Sequence, residues 1–292
     1  MFKPNLFLIG FPKTGTTSIA KYMDFHPNIS LCDPKEPHFF LDDMPGFRLT
    51  KNEKMYLRYF KFSKKYKYYL DASVYYIYSK IALSNIIKYN KDARFIICYR
   101  DPKEIILGLH QQMYQSGEED QKNFKEAWNL QKLRAKGKKL PKHCREAKSL
   151  QYKKFGFISD YIKIAIDVLG INNICFVDFH KFKSNPEREI KKIFKFLDIK
   201  EIEIKYSNYN PSKNFRNNFF KQIVQLSPKW IYKILIKMRS FPLLKLIPIL
   251  VNLTFKKNEK FSYNYDELPF LDIYDSEIPK VNMIMKSYNV DN

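Results

Sequence analysis

The segment that most constrains this chain is residues 6–18, LFLIGFPKTGTTS, where an apolar run ends at a glycine and a hydroxyl-rich turn follows. The apolar residues 6–9 predict a strand buried on both faces of a sheet. Gly15 leaves backbone amides unobstructed at the start of a helix predicted over residues 15–25. Because Lys13 adds a cation and residues 16–18 add hydroxyls, the segment predicts a cradle for a phosphate or sulfonate group.

The spacing within this turn distinguishes two kinds of phosphate-binding loop. In the P-loop of nucleotide hydrolases and kinases, G-x-x-x-x-G-K-[ST], a lysine follows the second glycine. Here Gly10 and Gly15 have the required separation, but Thr16 stands in the lysine position and Lys13 precedes Gly15. A P-loop-type nucleotide kinase or phosphotransferase is therefore an alternative hypothesis and not the first one.

A second anion-binding position is predicted at Arg100, within residues 93–104, ARFIICYRDPKE. The apolar run predicts a strand over residues 94–99. A cap at Asp101, Pro102 at the first helical position and Glu104 three residues after the cap predict that a helix begins there. Arg100 then lies between a strand end and a helix start, where its guanidinium can bind a phosphate through two hydrogen bonds.

Together these motifs resemble those of sulfotransferases that use 3′-phosphoadenosine 5′-phosphosulfate (PAPS). Residues 12–18 resemble the 5′-phosphosulfate loop, and residues 100–108 resemble the 3′-phosphate motif. In that motif a serine stands eight residues after the arginine. Gly108 stands at that serine position, and a neighbour such as Ser116 is an alternative source of the hydroxyl. The order of the further segments resembles a bacterial branch related to the heparan sulfate and carbohydrate sulfotransferase domains.

The resemblance implies a set of cofactor-binding residues. They are Pro12, Lys13, Thr14, Gly15, Thr16, Thr17, Ser18, Arg100 and Gly108, with Asn210, Lys213 and Arg216 of a late N-x-x-K-x-x-R segment. In that branch the late segment closes over the 3′-phosphoadenosine end. The implied cofactor is PAPS, its product is adenosine 3′,5′-bisphosphate (PAP), and the implied reaction requires no metal.

The resemblance also implies catalytic and substrate-facing residues. In related carbohydrate sulfotransferases the K-E-x-H-F-F segment, here residues 35–40, lies beside the phosphosulfate loop, so Glu36 is the expected general base with His38 close to it. Lys13 is expected to stabilise charge on the leaving oxygen, and Ser73 and Tyr76 are expected to contact the acceptor. The implied reaction is in-line transfer of a sulfonate group to a hydroxyl or amine, with a carbohydrate as the expected acceptor.

The formal net charge of +22, from 52 Lys+Arg against 30 Asp+Glu, predicts a negatively charged partner. A bisphosphorylated cofactor and a small-molecule, glycan or lipid acceptor meet this expectation, and a basic nucleic-acid-binding module is the third hypothesis. The sequence has no zinc-finger, RNP-like or helix-turn-helix signature for specific nucleic-acid binding. The apolar and basic segment 228–255 is a candidate for peripheral contact with a membrane surface.

The cysteine spacing and the absence of long apolar runs predict the compartment. The four cysteines are scattered, which predicts reduced thiols and neither a zinc site nor a disulfide framework. No secretory signal precedes the first strand, and no apolar run reaches the ~20 residues that a membrane span needs. The sequence therefore predicts a cytoplasmic protein.

Alternating strands and helices predict an α/β fold, a P-loop-like three-layer sandwich with a central, mainly parallel sheet flanked by helices. Both anion-binding motifs are expected at the carboxyl ends of the strands. We predict a single sulfotransferase domain over 1–292, with an α/β core over about 1–200 and a cofactor-closing loop and helical extension over about 201–292. The predicted strands are 6–10, 67–71, 94–99 and 174–179, and the predicted helices are 15–25, 79–89, 102–115, 122–135, 149–169, 185–197 and 275–288.

Overall fold

The computed structural model describes residues 2–204, 213–215, 255–257 and 263–290. The strands are β1 (Leu6–Gly10), β2 (Ile29–Leu31), β3 (Tyr68–Asp71), β4 (Arg94–Tyr99), β5 (Ile174–Asp178), β6 (Lys213–Phe215) and β7 (Phe255–Lys257). The α-helices are α1 (Thr16–Asp24), α2 (Glu53–Leu57), α3 (Lys80–Tyr89), α4 (Pro102–Ser116), α5 (Phe124–Asn129), α6 (Gln131–Ala135), α7 (Tyr152–Phe155), α8 (Ile158–Leu169), α9 (Phe179–Ser184), α10 (Pro186–Phe196) and α11 (Glu277–Ser287).

The central sheet has five strands in the order β2-β3-β1-β4-β5, and each of its pairings is parallel. In the middle strand, Leu6 pairs with Leu70 of β3 and with Arg94 of β4. Every residue of β1 and β3 is buried, as expected of a parallel sheet covered on both faces. The predicted α/β fold with a parallel central sheet is confirmed.

Successive side chains of β1 enter the two layers on opposite faces of the sheet, because side chains alternate along a strand. On one face Leu6 and Leu8 join a core with Ile19 of α1 and Ile193 of α10. Phe7 packs in an aromatic group that includes Phe95 of β4, at a ring-centroid distance of 5.5 Å. Helix α3 packs on α8, and α8 packs on α11.

Most predicted elements are present within a few residues, and the differences have local causes. The helix predicted over 122–135 is divided into α5 and α6 at Leu130. The helix predicted over 149–169 starts later and is divided into α7 and α8 around Gly156. Strand β2 and helices α2 and α9 were not predicted, because each is too short to show a periodic pattern.

The contacts within the chain group into two compact units. The first comprises Met1–Ile105, Phe155–Tyr209 and Asp272–Asn292, and the second comprises Ile106–Lys154 and Asn210–Leu271. The first unit contains the five-stranded sheet, and the second contains the antiparallel pair β6 and β7. A single domain over 1–292 stays a prediction. Within the described part of the chain, no helix combines the length and apolar character needed to cross a bilayer.

Candidate active site

The loop between β1 and α1 is fixed at both ends by glycines. Gly10 has a φ of 143°, and an added Cβ would lie 2.3 Å from the carbonyl oxygen of Cys98 on β4. Gly15 has a φ of 75°, in the left-handed region, directly before α1. Glycine adopts this conformation without a steric penalty. The first amides of a helix have no acceptor inside it, and Gly15 has no side chain to cover them.

The residues of this loop divide into buried supports and partly exposed groups. The Thr14 hydroxyl is buried and donates to the carbonyl oxygen of Phe11 at 2.6 Å, so it braces the turn from within. Among the predicted cofactor-binding residues of the loop, Pro12, Thr14 and Thr16 are buried, whereas Lys13, Gly15, Thr17 and Ser18 are partly exposed. The partly exposed set is the one placed to meet a ligand.

Lys13 is the cation of this loop and has a left-handed backbone, with a φ of 65°. Burial lowers the pKa of the Lys13 ammonium, the charge of Glu36 acts to raise it, and the charge of Arg100 lowers it further. Lys13 is therefore within electrostatic range of both residues. A partly desolvated ammonium is suited to attract an anion.

Arg100 is joined directly to the β1–α1 loop. Its Nη1 donates to the carbonyl oxygen of Lys13 at 3.1 Å, and its Nε pairs with Glu104 one turn into α4. The guanidinium carbon lies 4.5 Å from the centroid of the Phe179 ring. The two anion-binding positions predicted from distant parts of the sequence therefore meet at the carboxyl edge of the sheet.

The predicted start of α4 is confirmed. Asp101 Oδ1 accepts hydrogen bonds from the amides of Lys103 at 2.8 Å and Glu104 at 3.2 Å, and Pro102 is the first residue of the helix. This cap sets the direction in which α4 leaves β4 and keeps Arg100 at the strand end. Glu104 also faces His180 Nε2 at 3.0 Å, which brings α9 to the same site.

Glu36 and His38 lie on the connection between β2 and α2, in residues 33–40, which we call the Glu36 loop. Lys35 Nζ donates to Glu36 Oε1 at 2.8 Å, and His38 Nε2 lies 3.8 Å from Glu36 Oε2, an ion-pair distance that is too long for a hydrogen bond. The Glu36 side chain is 37% exposed and that of His38 is 5% exposed. Burial acts to raise the pKa of Glu36, but the Lys35 charge and His38 outweigh it, so the pKa is lowered.

Ser73 and Tyr76 are placed behind the Glu36 loop. Both are fully buried, and both hydroxyls donate to Asp71, at 2.5 and 3.1 Å. Their oxygens accept hydrogen bonds from amides of the Glu36 loop. In this structure they support the loop, and their contact with an acceptor stays a prediction.

The roles of the remaining predicted cofactor-binding residues stay predictions. Gly108 is half-buried within α4 and belongs to the second compact unit. Ser116, its proposed substitute, is eight residues further along α4, about 12 Å by helical rise. Its hydroxyl donates to the carbonyl oxygen of Met113 at 3.0 Å.

The late N-x-x-K-x-x-R segment is mostly outside the described residues. Neither Asn210 nor Arg216 is described, and Lys213 is described only as the first residue of β6.

Four residues that lie next to the candidate site in the structure were not predicted from the sequence. Lys35 is part of the K-E-x-H-F-F segment, but its ion pair with Glu36 is not implied by spacing. Asp71 precedes the predicted acceptor-facing residues Ser73 and Tyr76 in sequence, but no role was predicted for it. Phe179 and His180 start a short helix that carries no sequence signal. Among the residues that the structure describes, no group of three or more His, Cys, Asp or Glu is arranged to hold a metal ion.

Comparison with known proteins identifies the family. The sulfotransferase domain family matches residues 3–241, and no curated protein matches this chain. A solved sulfotransferase from Alicyclobacillus acidocaldarius is 23% identical with a TM-score of 0.61, over 70% of this chain and 87% of that one. Mouse sulfotransferase SULT7A1, complexed with PAP, is 17% identical with a TM-score of 0.45, over 70% of this chain and 62% of that one.

The Alicyclobacillus structure supports the fold, and the family match supplies the assignment. A solved sulfotransferase STF9 from Mycobacterium avium is also similar, at 12% identity and a TM-score of 0.41, over 99% of this chain and 78% of that one. The family match covers most of the chain and includes both the β1–α1 loop and Arg100. This protein therefore belongs to the sulfotransferase family and is a PAPS-dependent enzyme.

Proposed function

We propose that this enzyme transfers the sulfonate group of PAPS in line, without a metal, to a hydroxyl or amine of a carbohydrate acceptor. The observation that carries the proposal is the contact between the two predicted anion-binding residues, Lys13 and Arg100, at the carboxyl edge of the sheet. Arg100 donates to the Lys13 carbonyl at 3.1 Å, and Lys13 lies within electrostatic range of Glu36. The family match favours this reaction over the kinase and nucleic-acid hypotheses.

The residues of the site fit a nucleotide that carries two anionic groups. The start of α1 is the positive end of a helix, and Lys13 stands beside it with a partly desolvated ammonium. Arg100 adds a guanidinium that binds phosphate oxygens in a fork geometry. We assign Lys13, Thr17 and Ser18, together with the backbone amide of the buried Thr16, to the 5′-phosphosulfate, and Arg100 to the 3′-phosphate. When bound, PAPS supplies a sulfonate group attached to a phosphate leaving group.

Lys13 and Glu36 have separate roles in the transfer step. Lys13 stabilises the negative charge that develops on the leaving phosphate oxygen. Glu36 takes the acceptor proton while the new oxygen–sulfur or nitrogen–sulfur bond forms and the sulfur–oxygen bond to the phosphate breaks. Lys35 and His38 lower the pKa of Glu36, which keeps it ionised and able to accept a proton at neutral pH. Because such a carboxylate is a weak base, we expect the proton to move as the new bond forms and not before it.

The acceptor class rests on the resemblance of residues 35–40 to carbohydrate sulfotransferases. The partial exposure of Glu36 supports an acceptor that approaches from solvent. The cytoplasmic location stays a prediction. The segment 228–255, proposed for contact with a membrane surface, lies outside the described residues except for Phe255 at the start of β7.

Ligand binding and group transfer test this proposal separately. PAP should raise the melting temperature, since a ligand at 100 times its Kd stabilises the folded state by about 2.7 kcal/mol. Arg100→Ala should weaken PAP binding about 10- to 100-fold, the effect of a lost charged hydrogen bond. Lys91→Ala removes an exposed lysine at the amino end of β4 and should leave PAP binding unchanged. Stabilisation by ATP with magnesium and none by PAP would favour the kinase.

The acceptor is tested with radiolabelled PAPS and a panel of carbohydrates, phenols and lipids. We expect label in hydroxyl- or amine-bearing carbohydrates, and Glu36→Gln should lower the rate of this transfer by about 10²- to 10⁴-fold, as is typical for loss of a general base, while it keeps the PAP-induced rise in melting temperature. Label in phenols or lipids alone would overturn the carbohydrate assignment and leave the sulfotransferase assignment intact.

A further inference from the structure

We propose that Asp71 is a positioning residue for catalysis, which holds the Glu36 loop in its active conformation through the hydroxyls of Ser73 and Tyr76. The proposal rests on the proposed function, because it takes Glu36 as the general base. It assigns a role to a buried carboxylate that the transfer step itself does not use.

Asp71 is the last residue of β3 and is fully buried. It accepts three hydroxyl hydrogen bonds, from Ser73 Oγ to Oδ1 at 2.5 Å and from the Tyr56 and Tyr76 hydroxyls to Oδ2 at 2.7 and 3.1 Å. A buried carboxylate needs such donors to offset the loss of water. Because three side chains converge on it, Asp71 fixes the direction in which each hydroxyl oxygen points.

Two of these hydroxyls continue to the backbone of the Glu36 loop. The His38 amide donates to Ser73 Oγ at 3.0 Å, and the Phe40 amide donates to the Tyr76 hydroxyl at 3.3 Å. Between these two attachments, the Phe39 ring stacks on Tyr56 at a centroid distance of 4.4 Å and an interplanar angle of 7°. Three consecutive residues of the loop are thus held by the three side chains that converge on Asp71.

The backbone that these contacts hold is strained. Glu36 and His38 have φ values of 63° and 50°, in the left-handed region that residues other than glycine rarely adopt. Such residues persist only where the surrounding structure fixes them, and they are found preferentially at functional sites. The network from Asp71 supplies this constraint next to the expected base.

The backbone of His38 also sets the position of its imidazole beside Glu36. The ring packs against Phe47, Tyr75 and Tyr76, and its buried Nδ1 has no hydrogen-bond partner among the residues that the structure describes. Its Nε2 faces Glu36 Oε2 at 3.8 Å. A shift of the His38 amide would therefore move the imidazole and with it the environment of the base.

A second buried carboxylate in the same compact unit provides a matched control. Glu277 of α11 is fully buried, and its Oε2 accepts hydrogen bonds from the Ser159 amide at 2.9 Å and hydroxyl at 2.8 Å. It links α11 to α8, and its hydrogen bonds and ion pair within the described part of the chain are with Ser159 and Lys280. Glu277→Gln therefore reports the cost of changing a buried carboxylate without moving the Glu36 loop.

The first experiment measures kcat, KM and PAP binding for Ser73→Ala, Tyr76→Phe and Asp71→Asn. We expect kcat to fall about 10- to 100-fold, since a small misplacement of a catalytic group has effects of this size. KM for PAPS, KM for the acceptor and the PAP-induced rise in melting temperature should stay within about twofold of the wild type, and Glu277→Gln should keep its kcat. If Asp71→Asn fails to fold, the two hydroxyl variants decide the question. Wild-type kcat in both of them would overturn the proposal, as would a loss confined to the acceptor KM.

The second experiment tests whether Ser73 acts through Glu36. In a Glu36→Gln background, Ser73→Ala should cause no further loss of rate, because effects of residues that act as a unit are not additive. Independent multiplication of the two losses would overturn the proposal. If Glu36→Gln alone keeps the wild-type kcat, the assignment of the base fails and the positioning role fails with it. If Glu36→Gln loses rate while Ser73→Ala and Tyr76→Phe both keep the wild-type kcat, only the positioning role fails.

Discussion

Two carboxylates, Asp71 in the first compact unit and Glu119 in the second, are equally buried but have different partners. Each accepts a hydrogen bond from a buried tyrosine, Tyr56 at 2.7 Å and Tyr152 at 2.8 Å. The other side-chain donors to Asp71 are hydroxyls. Glu119 instead receives two hydrogen bonds from the guanidinium of Arg134, one of them 2.6 Å from Nη2 to Oε1.

The different partners shift the pKa values of the two carboxyl groups in opposite directions. Burial raises the pKa of Asp71, and its hydroxyl hydrogen bonds offset this only in part. Burial acts the same way on Glu119, but the hydrogen bonds and charge of Arg134 outweigh it and the pKa is lowered. An arginine thus makes a buried carboxylate a fixed structural ion. A hydroxyl that donates to a buried carboxylate can also accept a hydrogen bond from another group. Here the hydroxyls of Ser73 and Tyr76 accept from amides of the Glu36 loop.

The largest expected effect comes from removing the positive charge of Arg134, the ion-pair partner of Glu119. Arg134→Met leaves Glu119 buried without its charge partner, which should lower the free energy of unfolding by about 3–5 kcal/mol. Chemical denaturation measures this change. Lys191→Met, which breaks the exposed ion pair with Glu187 at 2.9 Å, is the control and should cost less than about 1 kcal/mol. Equal losses in the two variants would mean that Glu119 is not a fixed buried ion.

Lys13→Ala, in the first compact unit, should change the rate of transfer and not the stability of the fold. Removing one preorganised transition-state donor should lower kcat by about 10²–10³. Because burial disfavours the charged ammonium, its loss should leave the free energy of unfolding unchanged within about 0.5 kcal/mol. Steady-state transfer and chemical denaturation give the two values, with Lys91→Ala as the control. Nearly full activity of Lys13→Ala would contradict its catalytic assignment.

The elements predicted well from sequence are those with a local signal. Strands β1, β4 and β5 appear within one residue of their predicted bounds, because each is a continuous apolar run bounded by polar or turn residues. Strand β2 has only three residues, which is too few to distinguish a strand from a loop. Helix α9 begins directly after β5 with Asp178 as its cap, so no loop separates the two patterns.

The site follows the same division between local and distant signals. Lys13 and Arg100 could be predicted because each lies at a strand end within a recognisable motif. The hydrogen bond from the His38 amide to Ser73 joins residues 35 positions apart, and nothing in either segment specifies that pairing. The ion pair between Lys35 and Glu36 joins adjacent residues, yet sequence alone does not give their side-chain directions. The charged residues of the candidate site were therefore predictable from the sequence, whereas the hydrogen bonds and ion pairs that hold the site together required the structure.

The two carboxylates should also give opposite pH dependences of stability. The lowered pKa of Glu119 contributes stability above its ordinary value of 4.5, and this contribution is lost as pH falls through the folded-state pKa. The raised pKa of Asp71 contributes stability below its ordinary value of 3.8, and this contribution is lost as pH rises through the folded-state pKa. Each slope is limited to about 1.4 kcal/mol per pH unit for one group.

Denaturation of variants at a series of pH values separates these contributions. Glu119→Gln should flatten the loss of stability on acidification, and Asp71→Asn should remove a loss that appears as pH rises above about 4. The same sign of change in both variants would show that the two carboxylates are alike after all.

The smallest expected effect gives the closest match between the two regions. Tyr56→Phe and Tyr152→Phe each remove one hydroxyl from a buried carboxylate and keep the ring, so each should lower the free energy of unfolding by about 1 kcal/mol. Only Tyr56→Phe loosens Asp71, and we expect kcat to fall about threefold, a change of about 0.7 kcal/mol in the barrier. Tyr152→Phe should keep the wild-type kcat, because Glu119 retains Arg134. Equal stability losses with unequal rates would show that what distinguishes these carboxylates is the groups their donors contact next.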